Sequence, residues 1–378
     1  MTVPILPSAT IGILGGGQLG RMTALAARAM GYRVQVLDPD PDCAAKPVVE
    51  RVVVAPFDDA DGAADLARAC DVLTLEIEQI APAALHAALQ YAPLRPGLEL
   101  LQMVQHRGRQ RRWLVSHGFP VGPHAVVTSV QTLADAMTSL GPDLFVKSCQ
   151  GGYDGRSQIR TTFRDDAAQV FALMGGRESV AERALDLELE LSVLVARRPG
   201  GRELIAYPPA RNHHDRQILA WSVLPADVPA TVEREAQAIA LGIAEQIELE
   251  GILAVEMFLL RDGRLLVNEL APRPHNSYHA SELACPTSQF EQLVRAACDL
   301  PLGAVLPTRP AAIVNIFGDL WADGHTPDFA AALTVPGTRL FLYGKRGPRA
   351  GRKMGHLAAI GSTTGEALDR ARAASARL

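Results

Sequence analysis

Between residues 11 and 95, short apolar runs alternate with segments of helical periodicity. "TIGIL", "RVQVLD", "RVVVA" and "DVLTLE" read as strands, and "QLGRMTALAARAM" and "DGAADLARA" as helices between them. Strand–helix alternation with short connections predicts a doubly wound parallel sheet. The Pro/Gly-rich "YAPLRPGLE" ends this unit, and a basic helix follows at "HRGRQRRWLVSHG". "HAVVT", "QTLADAMTSL" and "LFVKS" predict strand, helix and strand, running into the polar, glycine-rich loop "CQGGYDGRSQ". "SVAERALDLELELSVLVARR" predicts strands, and "TVEREAQAIALGIAEQIEL" a long amphipathic helix. Beyond "TSQFEQLVRAACDLPLG" come strands at "AAIVNIFG", "TRLFLYG" and "HLAAIG" and a final helix at "GEALDRARAASAR".

The sharpest local pattern is "VEMFLLRDGRLLVNELAPRPHNSYH", Val255 to His279. Two apolar runs flank Asp262-Gly263, a dipeptide suited to a two-residue type I′ hairpin turn. That turn predicts Arg261 opposite Arg264, Leu260 opposite Leu265, Phe258 opposite Val267 and Glu256 opposite Glu269. Directly opposed residues have Cβ atoms about 5 Å apart. Two carboxylates held that close repel, so either one is protonated or a cation lies between them. Oxygen ligands with the Asn268 amide adjacent suit Mg²⁺, which usually binds substrate phosphates as well. A solvated sheet face that tolerates two acids is the alternative.

Composition narrows the field. The 378 residues are 48% hydrophobic, enough for two or three domains with cores of their own. A formal net charge of −4 gives no global basic field for nucleic acid. No run of 18 apolar residues predicts a membrane span. The N-terminus lacks the basic start of a signal peptide. Five scattered cysteines without a CxxC pair fit reduced thiols in the cytoplasm. Cys149 is expected to be a surface thiol.

"GILGGGQLG" holds G-x-G-x-x-G at Gly15, Gly17 and Gly20, with Asp38 ending the next strand. This is formally the dinucleotide fingerprint, with Asp38 placed for a ribose hydroxyl. An NAD-dependent dehydrogenase is therefore one reading. A helix start of this kind welcomes any phosphate or carboxylate, and a purely structural tight turn is a third reading.

Taken together and in order, "GILGGGQLGRM", "KSCQGGYDGRSQ", "AVEMF", "LLVNELAPRPHNSYH", "TSQFEQ" and "YGKRGPRAGRKMGH" resemble the N5-carboxyaminoimidazole ribonucleotide synthetases, ATP-grasp ligases of purine biosynthesis. The resemblance covers nearly the whole chain. It implies an α/β and α+β fold in three parts: an N-terminal α/β domain at 1–98, a split ATP-grasp domain at 99–304 and a small C-terminal domain at 305–378. It implies that ATP and bicarbonate give carboxyphosphate, and that 5-aminoimidazole ribonucleotide is carboxylated by it or by CO₂ released from it. A cytoplasmic homodimer that passes its product to the N5-carboxyaminoimidazole ribonucleotide mutase is a family expectation. A sister ATP-grasp enzyme, such as a formate-dependent glycinamide ribonucleotide transformylase, shares the metal pair but should lack "GGYDG" with "APRPHNS" in this arrangement.

The resemblance also assigns roles. Glu256 and Glu269 would hold Mg²⁺, with Mn²⁺ able to replace it, and Asn268 would contact the ATP phosphates. Arg107 and Lys147 match family cations on ATP. Gly151 to Gln158 would form a flap over the phosphates, with Gly152, Tyr153, Asp154, Gly155, Arg156, Ser157 and Gln158 on ATP. Backbone groups of Glu182, Arg183, Ala184 and Leu185 would meet adenine, Glu190 the ribose, and His214 the nucleotide. The ribonucleotide would lie between domains, against Gln18, Leu19, Glu76, Tyr153, Asp154, Arg273, His275, Asn276 and Ser277. Lys345 and Arg352 would take its 5′-phosphate. Glu256, Glu269, Arg273 and Asp154 are the catalytic candidates. Two departures stand out: the flap usually reads "RRGGYDGKGQ", so Gln150 replaces a cation and Ser157 a glycine. The adenine linker usually opens with two acids, whereas Arg183 is second here.

Overall fold

The computed structural model describes residues 3–151, 158–162, 164–324 and 326–378. A first sheet is built from β1 (Thr10–Leu14), β2 (Arg33–Asp38), β3 (Arg51–Val54) and β4 (Val72–Leu75), in the order β3-β2-β1-β4. All its pairings are parallel, as the alternation predicts. β1 and β4 are buried along their whole length because helices cover the sheet.

A second sheet comprises β5 (His124–Val127), β6 (Leu144–Ser148), β7 (Gln158–Thr161) and β8 (Ser179–Arg183), in the antiparallel order β5-β8-β6-β7. The third sheet carries β9 (Leu187–Arg197), β10 (Leu204–Ala206), β11 (Ala210–Asp215), β12 (Ile218–Leu224), β13 (Gly251–Leu260), β14 (Leu265–Ala271), β15 (Ala311–Phe317), β16 (Thr338–Leu342) and β17 (Lys353–Ile360). Its order is β14-β13-β9-β11-β12-β15-β17-β16, with β10 on β9. The C-terminal strands thus extend the large sheet through β12 and β15, where Trp221 meets Val314.

Local signals set the helix starts. Asp59 caps the helix Ala60–Arg68 by accepting from the Asp61 and Gly62 amides, and Ser129 with Thr132 forms a capping box on the helix Val130–Leu140. One core runs between the units: Ile11, Ile13 and Val36 of the first sheet share it with Leu194, Ile252 and Ile313 of the third. That packing closes the first sheet against the third and leaves a cleft where their loops meet the second. No helix among the described residues is long and apolar enough to cross a membrane.

Candidate active site

The hairpin β13–β14 places the two carboxylates, though by another route than the two-residue turn predicts. Leu260 N–H donates to the Arg264 carbonyl at 2.9 Å, so the turn has three residues. Gly263 takes φ of +87°, and Asp262 is not among the residues with positive φ. The Asp262 carboxylate holds the turn instead, accepting from the Arg264 amide at 3.2 Å and from its Nε at 2.9 Å. The longer turn shifts the register by one: Leu259 faces Leu265 and Met257 faces Val267, not Phe258. A bulge between Glu256 and Met257 then returns the register, and Glu256 faces Glu269. Asn268 is the extra residue.

Each carboxylate has its own nitrogen partner. Glu256 Oε1 lies 3.1 Å from His275 Nε2, and its Oε2 accepts from Asn268 Nδ2 at 3.1 Å. Glu269 Oε2 accepts from Arg107 Nη2 at 2.9 Å. Burial would raise the Glu256 carboxyl, but the His275 hydrogen bond and charge, with His214 behind them, hold it well below the usual carboxylate range. Asn268 Oδ1 is buried without a hydrogen-bond partner. Two carboxylates and an unpartnered amide oxygen are the donor set of a hard divalent cation, so the residues fit Mg²⁺.

Arg107 joins them to a cationic cluster around Glu182. Lys147 Nζ donates to Glu182 Oε2 at 2.6 Å, Arg111 Nη2 to Oε1 at 2.7 Å, and Arg107 Nη1 stands 4.0 Å away. Burial opposes the Glu182 charge, yet the three cations together pull its carboxyl far below the usual range. Lys147 does not rise in return. Burial lowers it, and Arg107 and Arg111 repel its charge. One carboxylate among three cations leaves a local positive excess. Arg107 Nη1 has no hydrogen-bond partner. A buried positive excess of this kind suits a polyphosphate.

These groups line one cavity of about 490 Å³, a size typical of a nucleotide-sized pocket. Its walls include Arg107, Lys147, Gln158, Glu182, Arg183, Leu185, Glu190, His214, Glu256, Asn268, Glu269, Arg273, His275 and Asn276. Glu190 and His214 are hydrogen-bonded to each other. The Ala184 amide donates to the Asp143 carbonyl and Arg183 Nε to the Leu140 carbonyl, so both groups are engaged within the protein. Gly152, Tyr153, Asp154, Gly155, Arg156 and Ser157 lie outside the described residues.

The segment after β14 continues around the cavity. Arg273 Nε donates to Glu78 at 2.7 Å. Ser277 is buried, its Oγ 2.8 Å from both His275 Nδ1 and Ser192 Oγ. Gln18 links three segments: its Nε2 donates to Asn276 Oδ1 at 2.6 Å, and its Oε1 accepts from Lys345 Nζ at 2.7 Å. Arg352 folds onto its own loop, donating to the Gly347 carbonyl at 2.9 Å. Leu19 packs with Met22, Phe290 and Tyr343.

The glycine fingerprint is filled from within the chain. Glu76 accepts from the Gly17 amide at 2.6 Å and the Gly20 amide at 2.5 Å, the place where an external anion would bind. A Cβ at Gly17 would come 2.2 Å from Glu76 Oε1, so glycine is required for this carboxylate to approach. Asp38 braces the same turn by accepting from the Gly16 amide at 2.8 Å. Asp38 therefore does not have the place that the dinucleotide reading gives it, and Glu76, expected against the ribonucleotide, is taken up by the helix start.

Three charged lining residues escaped the sequence reading: Arg111, Glu78 and Lys353. Arg111 lies one helical turn after Arg107, an i,i+4 signal in the basic helix. Cys149 is 4% exposed, not a surface thiol.

Three family models match the chain consecutively: a ribonucleotide synthetase preATP-grasp domain over residues 8–105, an ATP-grasp domain over 112–290 and a phosphoribosylaminoimidazole carboxylase C-terminal domain over 311–370. The N5-carboxyaminoimidazole ribonucleotide synthase of Bacillus subtilis is 40% identical across 93% of this chain and 92% of its own. An N5-carboxyaminoimidazole ribonucleotide synthetase solved with ADP is 38% identical, with a TM-score of 0.92 over 99% of this chain and 98% of that one. The Aspergillus clavatus enzyme solved with ADP and 5-aminoimidazole ribonucleotide is 30% identical, with a TM-score of 0.91 over 98% of both chains.

Proposed function

Because the chain belongs to the N5-carboxyaminoimidazole ribonucleotide synthase family, we propose that it carboxylates 5-aminoimidazole ribonucleotide with bicarbonate, converting ATP to ADP and phosphate. The observation that carries this reading is one cavity lined by three cations around Glu182 and by two facing acids, with Arg107 touching both groups. Phosphoryl transfer to bicarbonate gives carboxyphosphate, and the amine of the ribonucleotide takes up the carboxyl group. Such transfer depends on positioning and charge neutralisation more than on covalent chemistry.

Lys147, Arg107 and Arg111 hold the phosphates, and Glu182 keeps the three cations together between turnovers. Glu256 and Glu269, with Asn268 Oδ1, would hold Mg²⁺ or Mn²⁺, which when bound supplies positive charge beside the phosphates. Glu190 and His214 face the nucleoside. Arg273, His275 and Asn276 follow the metal hairpin in sequence, so one segment fixes both the phosphate end and the acceptor end. Gln18 carries that fixation to Lys345, the phosphate clamp of the ribonucleotide. The family reading assigns residues 152–157, outside the described residues, to the phosphates, and Glu76 acts on the acceptor by holding the helix that begins at Gln18. The three units take the bounds 1–98, 99–304 and 305–378. The same family reading makes the protein a cytoplasmic homodimer whose product goes to the mutase. The test is carbon from labelled bicarbonate appearing in an acid-labile carbamate only when ATP and the ribonucleotide are both present. Labelling without ATP would overturn the reading.

A further inference from the structure

His106, Cys149 and Glu178 converge at the edge of the cavity, which Cys149 lines beside Arg107, and the proposed ligase chemistry uses none of them. One ring nitrogen, the Sγ and one carboxylate oxygen all lie within 4.8 Å of one another. Backbone hydrogen bonds hold the three segments together. The Cys149 amide donates to the Glu178 carbonyl at 3.0 Å, and the Arg107 amide donates to the Cys149 carbonyl at 2.9 Å. His106 and Cys149 are 9% and 4% exposed, whereas the Glu178 side chain is 43% exposed and reaches His106 from the surface. Tetrahedral zinc brings its ligands to roughly 3.5 Å from one another. His106 Nε2 and Glu178 Oε2, 3.4 Å apart, already stand at that spacing.

We propose that His106, Cys149 and Glu178 bind a thiophilic divalent cation of the Zn²⁺ class, with water as a fourth ligand. The donor set separates this site from the hairpin carboxylates. A thiolate and an imidazole favour zinc, and oxygen atoms alone favour magnesium.

The site is tied to ATP through a proton. His106 caps the helix Arg107–Ser116: its Nδ1 accepts from the Arg109 amide at 3.2 Å. Nδ1 is therefore unprotonated, and Nε2 carries the proton toward Glu178 Oε2, 3.4 Å away. A cation on Nε2 takes that position, and the ring proton then resides on Nδ1. A protonated Nδ1 cannot accept from Arg109. Metal occupation and the capped first turn are thus alternatives, and that turn begins with Arg107, which faces Glu269 and Glu182.

The test uses the full chain, reduced and without ATP or magnesium, titrated with Zn²⁺ against a chromophoric chelator and separately with Co²⁺. One equivalent should bind, and Co²⁺ should give a thiolate charge-transfer absorption. Cys149→Ser should abolish the absorption, and it and His106→Asn should each weaken zinc by at least about tenfold. Asn preserves a capping oxygen, so the second variant stays folded with its helix start intact. Glu269→Gln should bind zinc normally. Amide exchange at Arg109 should accelerate on zinc saturation. Absence of stoichiometric binding, or a charge-transfer absorption that survives Cys149→Ser, would overturn the site. Slower exchange at Arg109 would overturn the link to the helix.

Discussion

Glu256 faces Glu269 across β13 and β14 because the bulge at Asn268 cancels the one-residue shift imposed by the three-residue turn. Without the bulge, the two side chains would leave one another's level on the sheet. The pair is therefore built deliberately into the strand pairing. Glu256→Gln or Glu269→Gln should lower turnover by at least about a hundredfold, the scale of losing one preorganised charge. The fold should survive, with Glu256→Gln the more destabilising of the two because it also weakens the His275 contact. Turnover at saturating magnesium, with a circular dichroism melt beside it, checks both halves. Near-normal turnover in either variant would remove the hairpin from the chemistry.

Glu182 is the counter-ion of Lys147 and Arg111 as well as part of the cavity wall. Glu182→Gln should destabilise the chain by about 3–5 kcal/mol, because it leaves buried cations facing one another. Its carboxyl lies below the unfolded value in the folded state. The stabilisation is therefore complete above the unfolded pKa of about 4.5 and is lost as pH falls through the folded value. Denaturant midpoints of wild type and variant at neutral and acidic pH measure this, and the two should converge at the acid end. A constant difference across that range would contradict the assignment.

A second pH dependence comes from the junction of α-helical and C-terminal segments. His279 and His356 stack with ring centroids 4.7 Å apart, and both are fully buried. Burial pushes His356 down to about 3 and lowers His279 well below its ordinary value, with the His356 charge adding to the effect on His279. Both stay neutral in the fold and take up protons when unfolded. Stability is thus complete above about pH 6.5 and falls as pH drops from there toward 3, by up to about 1.4 kcal/mol per pH unit for each ring. His356→Phe should roughly halve the slope of unfolding free energy against pH between 4.5 and 6. An unchanged slope would show that these rings do not carry it.

How much of this was legible in the sequence differs by residue. The first sheet followed from its strand–helix alternation, because apolar runs and turn residues act locally. The helix Pro82–Leu89 was not legible: "PAALHAAL" is apolar almost all round and shows no amphipathic face. The carboxylate pair was legible although the turn was not, since two register shifts cancelled. Glu182 was expected to matter through its backbone, and its side chain proves to hold the cations. Arg111 could have been found from its spacing to Arg107. Glu78 and Lys353 could not, because they meet the cavity from opposite ends of the chain, and only the packed core brings them there.

Lys345 separates the two ends of the proposed site. It reaches Gln18, which reaches Asn276. Lys345→Ala should cost about ten- to a hundredfold in kcat/KM for the ribonucleotide, the worth of one charge-assisted contact. ATP affinity without the ribonucleotide should hardly move. Lys147→Ala should weaken ATP and spare the ribonucleotide. Titration of each substrate against both variants decides it. Equal loss of both affinities in Lys345→Ala would displace the ribonucleotide from the cleft between the units.

The central claim is that one cavity couples ATP cleavage to carboxylation of the aminoimidazole ribonucleotide. It is tested most directly by phosphate release from ATP and magnesium, with the ribonucleotide and bicarbonate added separately and then together. Release should be slow with ATP alone and rise when the ribonucleotide is added. It should reach one phosphate per carboxylated product when all three substrates are present. Release that ignores the ribonucleotide, or robust binding of a nicotinamide dinucleotide with no ATP turnover, would contradict the account.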